Sequence, residues 1–401
     1  MRFGLERIRK LVSVLGMPQH RFTSVHVVGT NGKSSVTEIT AALLEAHGIR
    51  TGAYVSPHQD RWAERIRLRG AEIAPVEFAA AVERTAQAVA VVDRSLDEGE
   101  SVTQFEADTA AAFVAMAAAR VQAGVIEAGL GGRLDATNVL ASKVTALTSI
   151  GLEHTEWLGE TEVEIAAEKL AVLREHTKLV LGPVSAEVEV LARRTASERH
   201  CSLVSVRDLA PEVALSSSAP YLRRDFAVAL AATEEIVGSL DPARVVSVAA
   251  ELELQGRMEL RQGSPPLILD AAHNPAGARA LAEALTAAAA GRPVIACLAV
   301  LADKDAAGIL RALAPAVAGL VATEVPAVRL AGSARPGARA LAAGALAELA
   351  RGAGIGWVEE EVDPAAALAV AGSRALELGG VVLLAGSHYL LGYAESADLA
   401  S

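Results

Sequence analysis

Val25-His26-Val27-Val28-Gly29-Thr30-Asn31-Gly32-Lys33-Ser34-Ser35 reads as a buried strand, a glycine-containing turn and the first residues of a helix. Backbone N–H groups at such a junction converge where the helix dipole favours negative charge, so the segment is suited to holding a polyphosphate. Gly29 and Gly32 permit close approaches that a Cβ resists, Thr30 and Asn31 lie between them in the turn, and Lys33 adds a mobile positive charge. Ser34 or Ser35 can place a hydroxyl on a magnesium ion. Val36, Ile39, Leu43 and Ala46 then recur at helical spacing, with Gly48 as a stop. The G-x-x-x-x-G-K-[ST] pattern would put glycine at Val27, so the first glycine is missing or displaced. An ordinary strand–turn–helix junction is the alternative reading.

The chain has 401 residues, too many for one ordinary core and enough for two or three domains. Aromatics are scarce, so the cores must rely on Ala, Val and Leu. A net charge of -11 argues against non-specific nucleic-acid binding. The Arg61, Arg65, Arg67, Arg69 group therefore reads first as a solvated face, with a basic rim for an anionic substrate as its functional alternative. Cys201 and Cys297 are far apart and offer neither a zinc spacing nor a disulfide framework, which points to the reducing cytoplasm. Leu5, Ile8, Val12 and Leu15 fit an amphipathic helix better than a signal peptide. No membrane span is expected, because alanine-rich stretches such as 110–119 are interrupted by charged or polar residues before they reach spanning length.

Strand-like runs at 25–28, 52–55, 124–127, 144–150 and 179–181 alternate with helical ones, which favours a mostly parallel sheet covered by helices. Gly256 and Gly263-Ser264-Pro265-Pro266 then interrupt regular structure. Beyond them, 267–271, 294–300, 319–323 and 381–385 restart the alternation. The expected organisation is an α/β chain with an ATP-binding P-loop domain over 1–255, a linker over 256–265 and a smaller Rossmann-like domain over 266–401.

Two further constellations carry chemistry. Val125-Ile126-Glu127 ends an apolar strand on a carboxylate, followed by Gly129-Leu130-Gly131-Gly132-Arg133-Leu134-Asp135-Ala136-Thr137-Asn138. Ligand sites in open α/β sheets lie outside such strand ends, so Glu127 is a magnesium-ligand candidate, with a partly buried structural acid as the alternative. The glycines lack G-x-G-x-x-G spacing and are weak evidence for a dinucleotide. His154, in the segment from Thr148 to Gly159, follows another strand and can ligate a metal as neutral imidazole. Thr161 and Glu164 form a capping-box pattern that starts a helix containing Glu168 and Lys169. Lys169 shares a face with Ile165, Val172 and Leu173, so desolvation favours a neutral amine that can add carbon dioxide to form a carbamate. Spacing alone equally describes a snorkelling lysine whose ammonium reaches water.

Together these strings resemble the folylpolyglutamate synthase and dihydrofolate synthase family of the Mur ligase superfamily. The matching segments are 29–35, Ser56-Pro57-His58 with Glu64-Arg65-Ile66, Phe105-Glu106, 127–138, 148–159, Gly256-Arg257 and Asp270-Ala271-Ala272-His273-Asn274-Pro275, in the family's order. The resemblance implies an ATP-dependent amide ligase: a pteroate or folate carboxylate takes the γ-phosphoryl group of ATP, and L-glutamate attacks the acyl phosphate. It further implies that Lys33 contacts phosphates, that Ser56 and Glu127 join one magnesium site, and that His154 and carbamylated Lys169 form or support a second. Arg257, Asp270 and His273 are implied nucleotide contacts, which would put ATP between the domains. Ser56, Pro57, His58, Phe105 and Glu106 are implied substrate-side residues, with dihydropteroate or a reduced folate as substrate and a monomer as the assembly. Phe105 equally reads as a core aromatic and His58 as a turn residue.

Several positions depart from the family pattern. Ser34 replaces the glycine that usually follows the lysine, Leu170-Ala171 replaces Ala-Gly after Glu168-Lys169, and His388 replaces an apolar residue in Gly386-Ser387-His388-Tyr389-Leu390. His388 is left without a catalytic role, as a surface or structural histidine. Two other readings compete. A cell-wall Mur ligase would carry an N-terminal domain for a UDP-sugar, and only 28 residues precede Gly29. A non-catalytic nucleotide-binding regulatory module would need the phosphate loop without Glu127, His154 and Lys169 together.

Overall fold

A computed structural model describes residues 4–331 and 337–395. The chain forms two compact units. The first comprises residues up to Ser56, Arg61–Leu215 and Arg223–Leu252, and the second comprises Pro57–Asp60, Ser216–Leu222 and the chain from Glu253 onward.

The first unit is built on an eight-stranded sheet: β1 (Thr23–Val28), β2 (Thr51–Tyr54), β3 (Ile66–Leu68), β4 (Ala71–Glu72), β5 (Ala123–Glu127), β6 (Val144–Leu147), β7 (Lys178–Leu181) and β8 (Ser202–Ser205). Their order is β4-β3-β2-β5-β1-β6-β7-β8. From β2 to β8 every pairing is parallel, and β3 and β4 extend the edge in antiparallel fashion. β2, β5 and β6 are buried at every residue and β1 at all but its first, as expected of strands covered on both faces. One apolar cluster joins Ile8, Leu11 and Val12 of the helix Glu6–Val14 to Phe113 and Met116 of the helix Gln104–Ala118. Another packs Val28 and Leu147 against Leu170, Leu173 and Ala192.

The register sets up the site. Val27 pairs with Glu127 and Val28 with Leu147, so β5, β1 and β6 end side by side, with neighbouring strands roughly 4.8 Å apart.

The second unit holds a six-stranded sheet: β9 (Glu259–Arg261), β10 (Leu267–Leu269), β11 (Val294–Leu298), β12 (Gly319–Ala322), β13 (Val358–Glu360) and β14 (Val381–Ala385), in the order β13-β12-β11-β14-β10-β9. Only β9 is antiparallel to its neighbour. Its core is built from Leu269, Ile295, Cys297, Val321, Leu368 and Leu384.

Several strands are shorter than their apolar runs suggest. The run 144–150 leaves the sheet after Leu147, because the hydroxyls of Thr148 and Ser149 turn to the Asn31 carbonyl at 2.6 and 2.9 Å. β3, β4, β8, β9 and β13 were not among the expected strands, because each is short and interrupted by polar residues. The four arginines do not form one solvated face: Arg65 is 1% exposed, while Arg61 pairs with Glu72 and Arg67 lies 3.8 Å from Glu38.

Candidate active site

β1 delivers the phosphate-loop candidate directly into the helix Lys33–Ala46. A Cβ on Gly29 would collide with the Thr148 hydroxyl, so only glycine lets β1 and the turn after β6 approach this closely. Gly32 takes a left-handed φ of +82° at the helix start, and a Cβ there would lie 2.9 Å from Asp225 Cγ. The turn is tied to the segment after β6. Thr30 N donates to Ser149 O at 2.8 Å, Asn31 N to Ser149 Oγ at 3.1 Å, and Thr30 Oγ1 to Gly151 O at 3.1 Å. Lys33 is half-buried, and its ammonium donates to Thr30 O at 3.1 Å, folded back over the loop that it would serve.

On the β5 side, Glu127 is 2% exposed and its Oε2 accepts from Ser56 N at 3.1 Å. The glycine-rich turn beyond it is organised by Asp135, which accepts from Leu130 N, Thr137 N and Thr137 Oγ1, while burial raises its pKa. Phe105 caps the turn, sitting where a Cβ on Gly129 would go, with its ring centroid 6.4 Å from that of Tyr54. A Cβ on Gly132 would lie 2.8 Å from the carbonyl oxygens of Glu168 and Lys169, so this turn packs directly on the end of the helix Glu162–Leu170.

That helix starts with the Thr161/Glu164 capping box and delivers Lys169 into the interior. Lys169 is 5% exposed, and its Nζ donates to Gly29 O at 2.8 Å, so it does not snorkel to water. Burial, reinforced by the nearby Lys33 charge, lowers its pKa to about 7 and makes the neutral amine accessible at neutral pH. His154 has a left-handed backbone, φ +52°, and its Nε2 lies 3.7 Å from Glu153 Oε1. Other non-glycine residues outside the site, among them Met17, Arg120 and His200, take the same left-handed backbone.

Glu106 lies in the first turn of the helix Gln104–Ala118. Its carboxylate accepts from Thr103 N and Oγ1 to close a capping box, and it pairs with Arg7 at 3.1 Å, so it fixes the helix that carries Phe105. Ser56, Glu127, His154, Lys169, Phe105 and residues 29–35 belong to the first unit, whereas Pro57, His58, Arg257, Asp270 and His273 belong to the second.

In the second unit, Asp270 at the end of β10 accepts from Tyr221 OH at 2.5 Å, Met258 N at 3.0 Å and Ala272 N at 2.8 Å. Burial raises its pKa, opposed by the Tyr221 hydrogen bond and the Arg257 charge. His273 Nδ1 donates to Ala271 O at 2.8 Å, and its ring centroid lies 5.4 Å from that of His388. Sequence reasoning missed Asp135, Asp225 and Tyr221 as parts of these arrangements. Asp135 stood inside a quoted string, but Asp225 and Tyr221 sit in a helix with no motif to mark them.

Magnesium takes oxygen donors and commonly leaves part of its shell to water and substrate phosphates. The buried Glu127 carboxylate and the adjacent Ser56 fit such an ion. Among the described residues, no three His, Cys, Asp or Glu side chains gather to hold a metal.

A parallel sheet with a glycine turn and lysine at one strand end, and a buried acid at the next, is an arrangement suited to nucleotide phosphates, and the comparisons with known proteins make it that of an ATP-dependent ligase of the Mur type. The family profile described as "Mur ligase, glutamate ligase domain" matches residues 256–388. The dihydrofolate synthase/folylpolyglutamate synthase of Mycobacterium tuberculosis is 34% identical over 363 residues, covering 80% of this chain and 74% of the relative. The structure of M. tuberculosis folylpolyglutamate synthase complexed with ADP superposes with a TM-score of 0.89 at 32% identity, covering 98% of this chain and 94% of that one. The bifunctional folylpolyglutamate synthase/dihydrofolate synthase of Yersinia pestis, complexed with AMPPNP and Mn ion, gives 0.82 at 28% identity, covering 99% and 93%. The chain belongs to the dihydrofolate synthase/folylpolyglutamate synthase family.

Proposed function

We propose that this protein joins L-glutamate to the carboxylate of dihydropteroate, of a reduced folate, or of both, using ATP and Mg2+. The observation that carries the reading is the adjacency of three strand ends, which present the phosphate loop, the buried Glu127 and the His154 segment on β1, β5 and β6. The printed names of the relatives support the substrate class, and the ADP and AMPPNP–Mn complexes of those relatives support nucleotide and divalent-metal use.

In this reading Gly29, Thr30, Asn31, Gly32, Ser34 and Ser35 cradle the polyphosphate through backbone N–H and hydroxyl groups, while Lys33 leaves Thr30 O to neutralise the oxygens. Ser34, Ser56, Glu127, His154 and a Lys169 carbamate hold magnesium, which supplies charge neutralisation as the phosphoryl group moves. The Lys169 amine would attack carbon dioxide and release a proton to solvent, giving up its hydrogen bond to Gly29 O. Its lowered pKa favours that step. Arg257, Asp270 and His273 serve the nucleotide from residues 266–401 and the linker before them. Ser56, Pro57, His58 and Phe105 face the pterin-bearing substrate, with Glu106 holding Phe105 in place. The protein is read as a cytoplasmic monomer, and Cys201 and Cys297 are free thiols.

The test offers dihydropteroate and a reduced folate monoglutamate separately with ATP, Mg2+ and L-glutamate, and identifies products by mass. Product gaining one glutamyl unit from at least one acceptor is expected. A protein that releases no glutamate-dependent ADP with either would be a nucleotide-binding module instead. Mass spectrometry under carbon dioxide trapping addresses Lys169 separately, and an unmodified lysine in fully active enzyme removes the carbamate.

A further inference from the structure

Among the described residues Arg65 is the largest side chain buried almost completely, 1% exposed, and no step of the proposed reaction uses it. Its Nη1 donates to Asp108 Oδ2 at 3.0 Å, and the same oxygen accepts from Tyr54 OH at 2.8 Å. The guanidinium carbon lies 4.3 Å from the Trp62 ring centroid, within cation–π range. An ion pair this deep recovers its desolvation cost only with good geometry, and an apolar replacement of similar volume is often as stable. Stability is therefore a weak reason for a guanidinium here.

Its position offers a better one. Tyr54 is the last residue of β2, and the next residue, Val55, donates its N–H to Arg65 O at 2.9 Å. Ser56 follows immediately and donates its own N–H to Glu127 Oε2 at 3.1 Å. The chain thus leaves the sheet at a point held by the Arg65 carbonyl directly and by the Arg65 guanidinium through Asp108 and the Tyr54 hydroxyl, one residue before the Glu127 contact. Asp108, which accepts from Tyr54 OH, and Thr109, whose Oγ1 lies 3.3 Å from the same hydroxyl oxygen, are one helical turn from Phe105.

We propose that Arg65 is a positioning residue for the metal pole, fixing the Val55–Ser56 exit so that Ser56 and the Glu127 carboxylate are held in the orientation that binds the divalent cation. This rests on the reading that Ser56 and Glu127 are metal ligands. Groups that orient metal ligands typically affect metal affinity by about 10- to 100-fold.

The experiment measures Mn2+ binding to ADP-loaded protein by electron paramagnetic resonance, together with the Mg2+ concentration that half-saturates glutamate-dependent ADP release. Arg65→Lys should weaken Mn2+ binding about 10-fold and raise half-saturating Mg2+ in parallel, with the rate recovered at high Mg2+. ADP binding in chelator should stay within about twofold, a split that general unfolding would not produce. Tyr54→Phe, which removes only the hydroxyl that aligns Asp108, should shift both quantities the same way by about threefold, and it decides the matter if Arg65→Lys does not fold. Glu127→Gln is the reference. If it loses Mn2+ while folded Arg65 and Tyr54 variants bind as wild type, the positioning role is wrong and the metal assignment stands. If Glu127→Gln itself binds Mn2+ normally, the metal assignment falls and takes this inference with it.

Discussion

The two sheets keep their buried polar groups in different places. In the first unit, His26 and Thr145 lie within strands, and Arg65, Asp108 and Lys169 are buried against the sheet. In the second, β10, β11, β12 and β14 contain no charged residue, and buried Asp270, Asn274 and Ser387 stand just beyond strand ends. The first unit positions its site with internal charges and hydrogen bonds, so stability and activity should be linked at those buried groups. The second supports its strand-end motif on an apolar core, so the two properties should separate.

The hardest blow to that contrast would come from Asp108→Ala, which leaves the Arg65 charge buried without its carboxylate. It should cost about 3–5 kcal/mol in urea unfolding, together with most activity, and a loss under about 1 kcal/mol would mean that water relieves the charge. Lys33→Ala separates chemistry from folding: glutamate-dependent ADP release should fall about 100- to 1000-fold with an almost unchanged melting temperature. Wild-type turnover in that variant would remove the phosphate role of Lys33.

His26 gives a pH test of the polar interior. Burial, with a smaller effect from the Arg174 charge, lowers its pKa to about 3, and its ring bonds Thr137 Oγ1 at 2.8 Å. The folded state holds it neutral, while the unfolded chain takes up a proton below pH 6.5. Its contribution is therefore fully present above pH 6.5 and declines as pH falls towards 3, by about 1.4 kcal/mol per unit at most. Between pH 6.5 and 5 that amounts to roughly 2 kcal/mol. Denaturant titrations at the two pH values should show a smaller difference in His26→Gln. The smallest effect is expected of Cys297→Ala in β11, about 1 kcal/mol of stability with ADP affinity untouched. A change in affinity there would erase the distinction between the units.

Much of this architecture was legible from one-dimensional pattern. Apolar runs marked the central strands because those strands are buried on both faces, and a strand, glycine turn and helical period marked residues 25–46. What pattern could not reveal was partnership. Arg65 looks like any member of a basic group until Asp108, 43 positions later, is seen to meet it. Glu106 sits in a family string, yet its carboxylate serves Thr103 and Arg7, a capping box hidden by the attention drawn to Phe105. Lys169 was open between snorkelling and burial because helical spacing gives a face and not its depth, and the Gly29 carbonyl settles its depth. Short edge strands such as β4 lack enough residues for any period to register.

Gly132 brings the glycine-rich turn against the main chain at Glu168 and Lys169, where no side chain could be interposed. Those two stretches are consequently a single block for recombination. A chimera with a related ligase that crosses over between residues 140 and 160 would pair a foreign turn with a native helix, and any added methyl at the seam would push Lys169 off its perch. Crossovers placed after Leu181 keep both halves from one parent and should yield working hybrids far more often.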